Sequence, residues 1–421
     1  MKVLWITNIV FPEAQRLLNG NSHFAASGGW MLGAANALIA CPDIQLSVAT
    51  PTKDVSTITE LRGEHIRYFL FPLGKGNLKK NDEYRKYWRE IHDLVIPDIV
   101  HIHGTEFSHG LAYIDECGAD NVFVSIQGLT SEISKYYSLG LSSCEIIQNL
   151  TLGDLVRGSV LRDVKKYRTR GEVEIELIKK VHHVIGRTRF DKSHVWSINP
   201  QVEYYFCNET LRDVFYVDRW QYEHCQPYSI FFSQANNPLK GLHFMLDALK
   251  IIKEFYPDAK LHIAGRDITT HSHTLRGLYA YSGYGKLILR KIKKYHLQEN
   301  VCFTGPLTAN QIKNELLKAN VFVCASTIEN SSNSLAEAQI LGVPCVASFV
   351  GGIPDMIPND ACGTLYRCED ITALAYSICK VFQESHLFDN TEMIANAQNR
   401  HNPQDNAEQL MKIYGHYFSH V

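Results

Sequence analysis

The stretch from Ser326 to Asp355, STIENSSNSLAEAQILGVPCVASFVGGIPD, sets Glu329 and Glu337 eight positions apart around the polar run Asn330-Ser331-Ser332-Asn333-Ser334. A helix pattern, SLAEAQILG, opens directly after the run. A helix start preceded by small residues offers free backbone N–H groups and a positive dipole end, which suit a phosphate. Carboxylates beside such a loop repel phosphate and are better used as acceptors for hydroxyls. Ribose and hexose supply hydroxyls, so the composite reading is a nucleotide-sugar site. A plainer reading makes Ser334-x-x-Glu337 a capping box. It covers Glu337 but leaves Glu329 and the five small polar residues without a purpose.

Two other clusters deserve the same weighing. HIHGTEFSH (101–109) holds His101, His103, Glu106 and His109, a set that could suggest zinc. It has no HExxH spacing and no cysteine beside it, and neutral imidazoles more often satisfy local hydrogen bonds. His103, at the end of a strand pattern, is the better candidate for contacting a sugar or an acceptor. The chain also has no Asp-x-Asp, so no metal is expected to bridge donor phosphates. In HVIGRTRFD (183–191), Arg187 and Asp191 form either a surface i,i+4 ion pair or a strand-end site in which Arg187 faces a ligand. No Gly-x-Gly-x-x-Gly follows the first strand, which argues against a dinucleotide-dependent dehydrogenase.

The elements that must position these residues are short, continuous apolar runs. VLWIT (3–7), IQLSVAT (44–50), IRYFLF (66–71), IVHIH (99–103) and VFVSI (122–126) come first. YSIFFS (228–233), KLHIAG (260–265), VCFTG (301–305), VFVCAS (321–326) and PCVAS (344–348) follow. Continuous rather than alternating runs predict strands buried on both faces. Helical spacing lies between them, as at Leu242, Met245, Leu246, Leu249 and Ile252. The pattern runs twice, with a Pro- and aromatic-rich connector near 200–225. It predicts an α/β chain of two doubly wound parallel-sheet domains, 1–210 and 211–399, facing each other across a cleft. Ligands are then expected at the carboxyl ends of strands.

Length and composition agree. The chain has 421 residues, 45% of them apolar and 20% charged, with a formal net charge of −2. That charge gives no electrostatic case for nucleic acid. Eleven dispersed cysteines read as reduced thiols, and no run approaches the roughly 18 apolar residues of a membrane span. A cytoplasmic protein is expected. One stretch, LVRGSVLRDVKKYRTRGEVEIELIKK (155–180), concentrates Arg157, Arg162, Lys165, Lys166, Arg168 and Arg170. It is either a solvated helix face or a surface for anionic lipid or a phosphate-bearing acceptor, so a peripheral contact with the inner face of a membrane is among the expectations.

The Glu-x7-Glu array, followed by EAQILGVPCVAS and FVGGIPD, resembles the retaining glycosyltransferases of family 4, which have the GT-B fold of two Rossmann-like domains. SGGWMLGAANAL (27–38), PDIVHIHG (97–104), NPLKGLHFMLDAL (237–249) and CGTLY (362–366) are similar to that family's other segments and stand in its order. The resemblance implies transfer of a hexose from a UDP- or GDP-linked sugar to a saccharide or lipid-linked saccharide, as in surface polysaccharide synthesis. It implies no cofactor and no metal. Glu337 would accept hydrogen bonds from the donor ribose, Glu329 would meet hydroxyls of the transferred sugar, and Lys240 would contact the diphosphate. Backbone amides of Asn333, Ser334, Gly351 and Gly352 would line the donor, and Gly28 and Gly29 would approach it from the first domain. The family's second cation is absent from FFSQANNPLK, where Gln234 stands in that region, so Arg266 or Arg187 replaces it or diphosphate binding is weaker. Gln127 occupies the place of the family's usual histidine and can contact a sugar but cannot serve as a general base. With His103 and Arg187 it forms the expected acceptor-side set. The resemblance implies front-face attack without a side-chain nucleophile, and a terminal helix (400–421) that crosses back onto the first domain. Alternatives on the same fold are a nucleotide-sugar epimerase and a catalytically silent sugar-binding subunit.

Overall fold

A computed structural model of the chain describes residues 1–20, 29–41, 43–74, 82–270 and 281–420. It divides into two compact units. The first comprises Met1–Ser131, Tyr167–Arg212 and Arg400–Val421, and the second Glu132–Lys166 and Asp213–Asn399.

Among the described residues the first unit carries an eight-stranded sheet. Its strands are β1 (Lys2–Ile6), β2 (Gln45–Thr52), β3 (Thr59–Arg62), β4 (Ile66–Pro72), β5 (Ile99–His103), β6 (Val122–Ser125), β7 (His183–Gly186) and β8 (Glu203–Phe206). Their order is β3-β4-β2-β1-β5-β6-β7-β8. Neighbours are parallel except β3, which runs antiparallel to β4. Successive β1 side chains point to opposite faces. Leu4 and Ile6 join the core around Phe71 and Trp88, while Val3 and Trp5 join the one around Phe123. The helix Pro403–His420 completes the second core with Leu410, Ile413 and Tyr414. Trp5 Nε1 donates to Tyr414 Oη at 3.1 Å, which fastens that terminal helix to the first strand.

The second unit holds β9 (Ser229–Phe232), β10 (Lys260–Ala264), β11 (Val301–Gly305), β12 (Val321–Cys324), β13 (Cys345–Ser348) and β14 (Thr364–Tyr366). The order is β11-β10-β9-β12-β13-β14, parallel throughout. The helix Leu242–Phe255 presents Leu242, Met245, Leu246, Leu249 and Ile252 to the core, where they join Ile230 and Phe232 of β9.

The grouping departs from the expected 1–210 division in one stretch. Residues 132–166 group with the second unit. Capping boxes at Ser142/Glu145 and Thr151/Asp154 start two short helices there. Asp154 accepts the Gly283 N–H at 2.9 Å, and Thr151 Oγ1 donates to Tyr281 O at 2.7 Å. Strands β3 and β8 carry no clear strand signal in the sequence, because TELR and EYYF are short and partly exposed and lack the longer continuous apolar run of a doubly covered strand.

Candidate functional site

In the second sheet the strand order reverses between β9 and β12, the switch point where open α/β sheets take ligands at strand carboxyl ends. Lys240 follows β9 and Glu329 follows β12. Lys240 Nζ lies 2.5 Å from Glu329 Oε1, and Ser326 Oγ donates to the same oxygen at 2.8 Å. Ser348 Oγ, from the end of β13, holds Ser326 O at 2.6 Å. Two glycines let the loops close this far. Gly241 has φ +72, and a Cβ there would lie 1.8 Å from Ala325 O. Gly351 has φ +50, and its Cβ would lie 1.9 Å from Glu329 O. Both need glycine for conformation and for space.

The helix Asn333–Leu341 starts one turn beyond Glu329, capped by Ser332, whose Oγ accepts the Leu335 N–H at 3.4 Å. This corrects the capping-box reading. Ser334 is the second helical residue rather than the cap, so Glu337 stands inside the helix, buried, and not at the third position of a Ser334 capping box. Ser334 Oγ accepts from Ser233 Oγ at 3.1 Å. Asn333 Oδ1 is buried without a protein hydrogen-bond partner, an acceptor suited to a ligand donor. Gly352 differs from expectation. Its N–H donates to Glu329 O at 3.0 Å, so it fastens the loop instead of facing a phosphate. Gln234 and Arg266 are exposed, shortly after the ends of the adjacent strands β9 and β10.

The first sheet has its own switch point, between β1 and β5. Asn8 follows β1, and its Nδ2 reaches His103 O and Glu106 Oε2, both at 3.3 Å. Gly104 (φ +94) leaves the space in which Glu106 sits, since a Cβ there would meet Glu106 Oε2 at 2.1 Å. Burial pushes the Glu106 carboxyl up to about 7 and the His103 imidazole down to about 3. Both groups therefore favour their neutral forms. Sequence reasoning missed Asn8 and weighed Glu106 as a metal ligand alone. The one available signal was their place just past two strand patterns.

His103, Gln127 and Arg187 are brought together around one cavity of about 620 Å³ in the first unit, which includes its open mouth. Asn208 and Thr210 add polar lining, and Ala34 and Leu38 supply apolar wall. Arg187 is buried and committed. Its guanidinium meets Glu209 Oε2 at 2.6 Å and donates to Gln127 O at 2.8 Å and Ile126 O at 3.1 Å. Asp191 instead accepts the Arg187 backbone N–H at 3.0 Å and caps the helix Arg189–Ile198 with Thr188. The exposed Arg187–Asp191 ion pair is thus overturned, because both residues are buried. His101 uses both ring nitrogens, toward Tyr414 Oη and Ser125 Oγ, each at 2.6 Å. Among the described residues no group of three or more His, Cys, Asp or Glu is placed to hold a metal ion. Gly29 is the first residue of the helix Gly29–Ile39, and Gly28 lies outside the described residues.

Two parallel-sheet units of this kind define the GT-B fold, and the solved structures agree. Sucrose-phosphate synthase from Thermosynechococcus elongatus matches over 100% of both chains with a TM-score of 0.72 at 15% identity. HepE from Anabaena, solved in complex with UDP-glucose, matches over 100% of both chains with a TM-score of 0.64 at 14% identity. Residues 218–400 match the family described as Glycosyl transferases group 1. In sequence, N-acetyl-alpha-D-glucosaminyl L-malate synthase of Bacillus anthracis is 29% identical over 103 residues, covering 24% of this chain and 26% of that protein. Matches to the first curated relatives span 22% to 33% of those proteins' lengths.

Proposed function

We propose that this chain is a retaining, metal-independent glycosyltransferase of family 4 that moves a hexose from a nucleoside-diphosphate sugar to a saccharide or lipid-linked saccharide hydroxyl. The observation that carries it is the Lys240–Glu329–Ser326 cluster at the second unit's switch point, with the buried acceptor Asn333 Oδ1 at the neighbouring helix start. A lysine there offsets charge on the leaving diphosphate, a contribution made where charge develops. Before donor arrives, Glu329 holds that ammonium in place. The diphosphate then offers it a second anion, and the carboxylate is left to accept from sugar hydroxyls. Glu337 takes the ribose hydroxyls, and the amides of Asn333, Ser334 and Gly351 line the donor. Arg266 is the better substitute for the family's second cation, because Arg187 is already paired with Glu209. Gln234 beside it offers hydrogen bonds without charge.

In the reaction the acceptor oxygen bonds to the anomeric carbon as its bond to the phosphate oxygen breaks. The acceptor proton passes to the departing phosphate. Glu329 is not assigned as a nucleophile, since one of its oxygens carries both Lys240 and Ser326. The groups at the first unit's switch point, shifted toward neutrality by burial, are assigned with the cavity holding His103, Gln127 and Arg187 to the acceptor, whose hydroxyls need hydrogen-bond donors and acceptors. UDP is the favoured donor base, supported by the UDP-glucose complex of the HepE neighbour, with GDP as the alternative. A reducing, cytoplasmic setting suits the eleven free cysteines.

The test is incubation with UDP- and GDP-linked hexoses in the presence and absence of EDTA, followed by NMR of the product's anomeric proton. Transfer with the donor's own anomeric configuration, insensitive to EDTA, is expected. Inverted product overturns retention. An isomerised nucleotide sugar made without acceptor points to the epimerase, and donor binding without turnover to the silent subunit.

A further inference from the structure

Large apolar side chains exposed one at a time are ordinary on a protein surface. In this chain 21 of the described residues are of that kind, and six of them fall within fifteen positions: Ile147, Leu150, Leu152, Leu155, Val156 and Leu161. Leu155 is 72% exposed and Val156 62%. Leu150 lies between the two six-residue helices Ser143–Gln148 and Leu152–Arg157; the others sit on those helices and on the first turn of the helix Val160–Lys180. The buried face of the two short helices consists of Ile146, Gly153 and Asp154, so the exposed apolar side chains contribute nothing to the core.

The exposed charges of the same stretch are mostly cations. Arg157, Arg162, Lys165 and Lys166 are exposed there. The basic helix Gly283–Lys294 adds Lys286, whose Nζ lies 3.4 Å from Leu150 O, and Arg290, whose Nη1 donates to Asn149 Oδ1 at 3.1 Å. The carboxylates in the same stretch are already engaged. Glu145 and Asp154 close capping boxes, Asp154 is buried on the Gly283 N–H, and Asp163 accepts from Tyr137 Oη at 3.1 Å. Exposed apolar side chains interspersed with exposed cations match an interface of acyl chains below anionic headgroups.

We infer that residues 147–166, with Lys286 and Arg290, form a docking surface for an anionic lipid bilayer. Leu155 and Val156 enter the headgroup layer, and the surrounding lysines and arginines pair with lipid phosphates. This refines the sequence expectation for 155–180. Of its later cations Arg170 has other employment, lying over the Phe107 ring at 4.6 Å, and the apolar half of the surface lies upstream of it. The inference does not depend on the sugar chemistry proposed above.

The experiment is co-sedimentation of the full chain with vesicles of phosphatidylcholine alone and of phosphatidylcholine with phosphatidylglycerol. Binding to the anionic vesicles and weakening by salt are expected. Leu155→Ser with Val156→Ser, and separately Lys165→Glu with Lys166→Glu, should each lower the partition coefficient about tenfold or more. All four positions are exposed, so unchanged melting temperatures should accompany both losses. Failure of the wild type to bind anionic vesicles, or binding that neither pair of substitutions alters, would overturn the assignment. So would a salt-insensitive dimer that Leu155→Ser with Val156→Ser dissociates, because the patch would then be covered by a second copy.

Discussion

The two switch points are built on one plan and differ in charge. In each, a carboxylate after one central strand is held by a nitrogen from the neighbouring central strand. The second unit uses Lys240 on Glu329, and the first uses Asn8 on Glu106. A glycine with positive φ makes room in both, Gly351 against Glu329 and Gly104 against Glu106. The second site keeps a formal cation beside its carboxylate and remains partly open to solvent. The first pushes its carboxyl and its imidazole toward neutral forms by burial. The same topology thus carries a lysine beside its carboxylate in one unit and an asparagine in the other. Under the proposed function, the first arrangement would serve the donor's phosphates and the second the acceptor's hydroxyls.

The largest expected effect comes from closing the space on which the charged site depends. Gly241→Ala or Gly351→Ala puts a methyl within 2 Å of a carbonyl oxygen and strains a left-handed residue. Each should cost about 4 kcal/mol, read as a fall in the urea midpoint. Lys240→Ala should lower kcat/KM by about 10²–10³-fold with little change in melting temperature. Asn8→Ala should raise the acceptor KM and leave donor affinity unaltered. Equal effects of these two substitutions on donor binding would erase the contrast between the sites.

Glu106→Gln sharpens it by pH. The folded-state value is raised from 4.5 to about 7 by burial, so as pH rises the unfolded chain loses this proton first. The carboxyl therefore subtracts stability progressively between about pH 4.5 and 7, and the deficit persists above 7. Wild type minus variant melting temperature should become more negative from pH 5 to pH 8, by an amount equivalent to about 2 kcal/mol. A gap independent of pH would mean that Glu106 is ionised at pH 5 and that the first site is charged like the second. The smallest effect is expected at Ser326→Ala. Losing one hydrogen bond to Glu329 should cost about 1 kcal/mol by thermal melts, with activity changed far less than by Lys240→Ala.

What could be read from the sequence follows from range. The runs IVHIH and VCFTG coincide with β5 and β11, and the periodicity of Leu242 to Ile252 lies on one buried helix face. Those signals are local. The helix that opens after Glu329 is also legible, because the loop and the helix are consecutive. The Asn8–Glu106 pair was not, since it depends on β1 lying beside β5 with about a hundred residues between them. The helix cap was placed two residues late, because a Ser-rich run offers several caps of equal quality and the choice falls to packing. The stretch 132–166 was assigned by its place in the chain. Its partners Tyr281, Gly283 and Arg290 lie far along the sequence.

The central claim is that the second unit's switch point binds the nucleotide part of the donor through Lys240 and Glu337. Its most direct test is a thermal-shift panel of UDP, GDP, ADP, CMP and their sugars on the wild type, Lys240→Ala and Glu337→Ala. Ligands that bind the folded state raise its midpoint by mass action. The prediction is that one nucleoside diphosphate, UDP by preference, raises the wild-type midpoint, that Lys240→Ala weakens the response, and that Glu337→Ala abolishes it. A response of the same size in all three proteins, or none in a folded wild type, would contradict the claim.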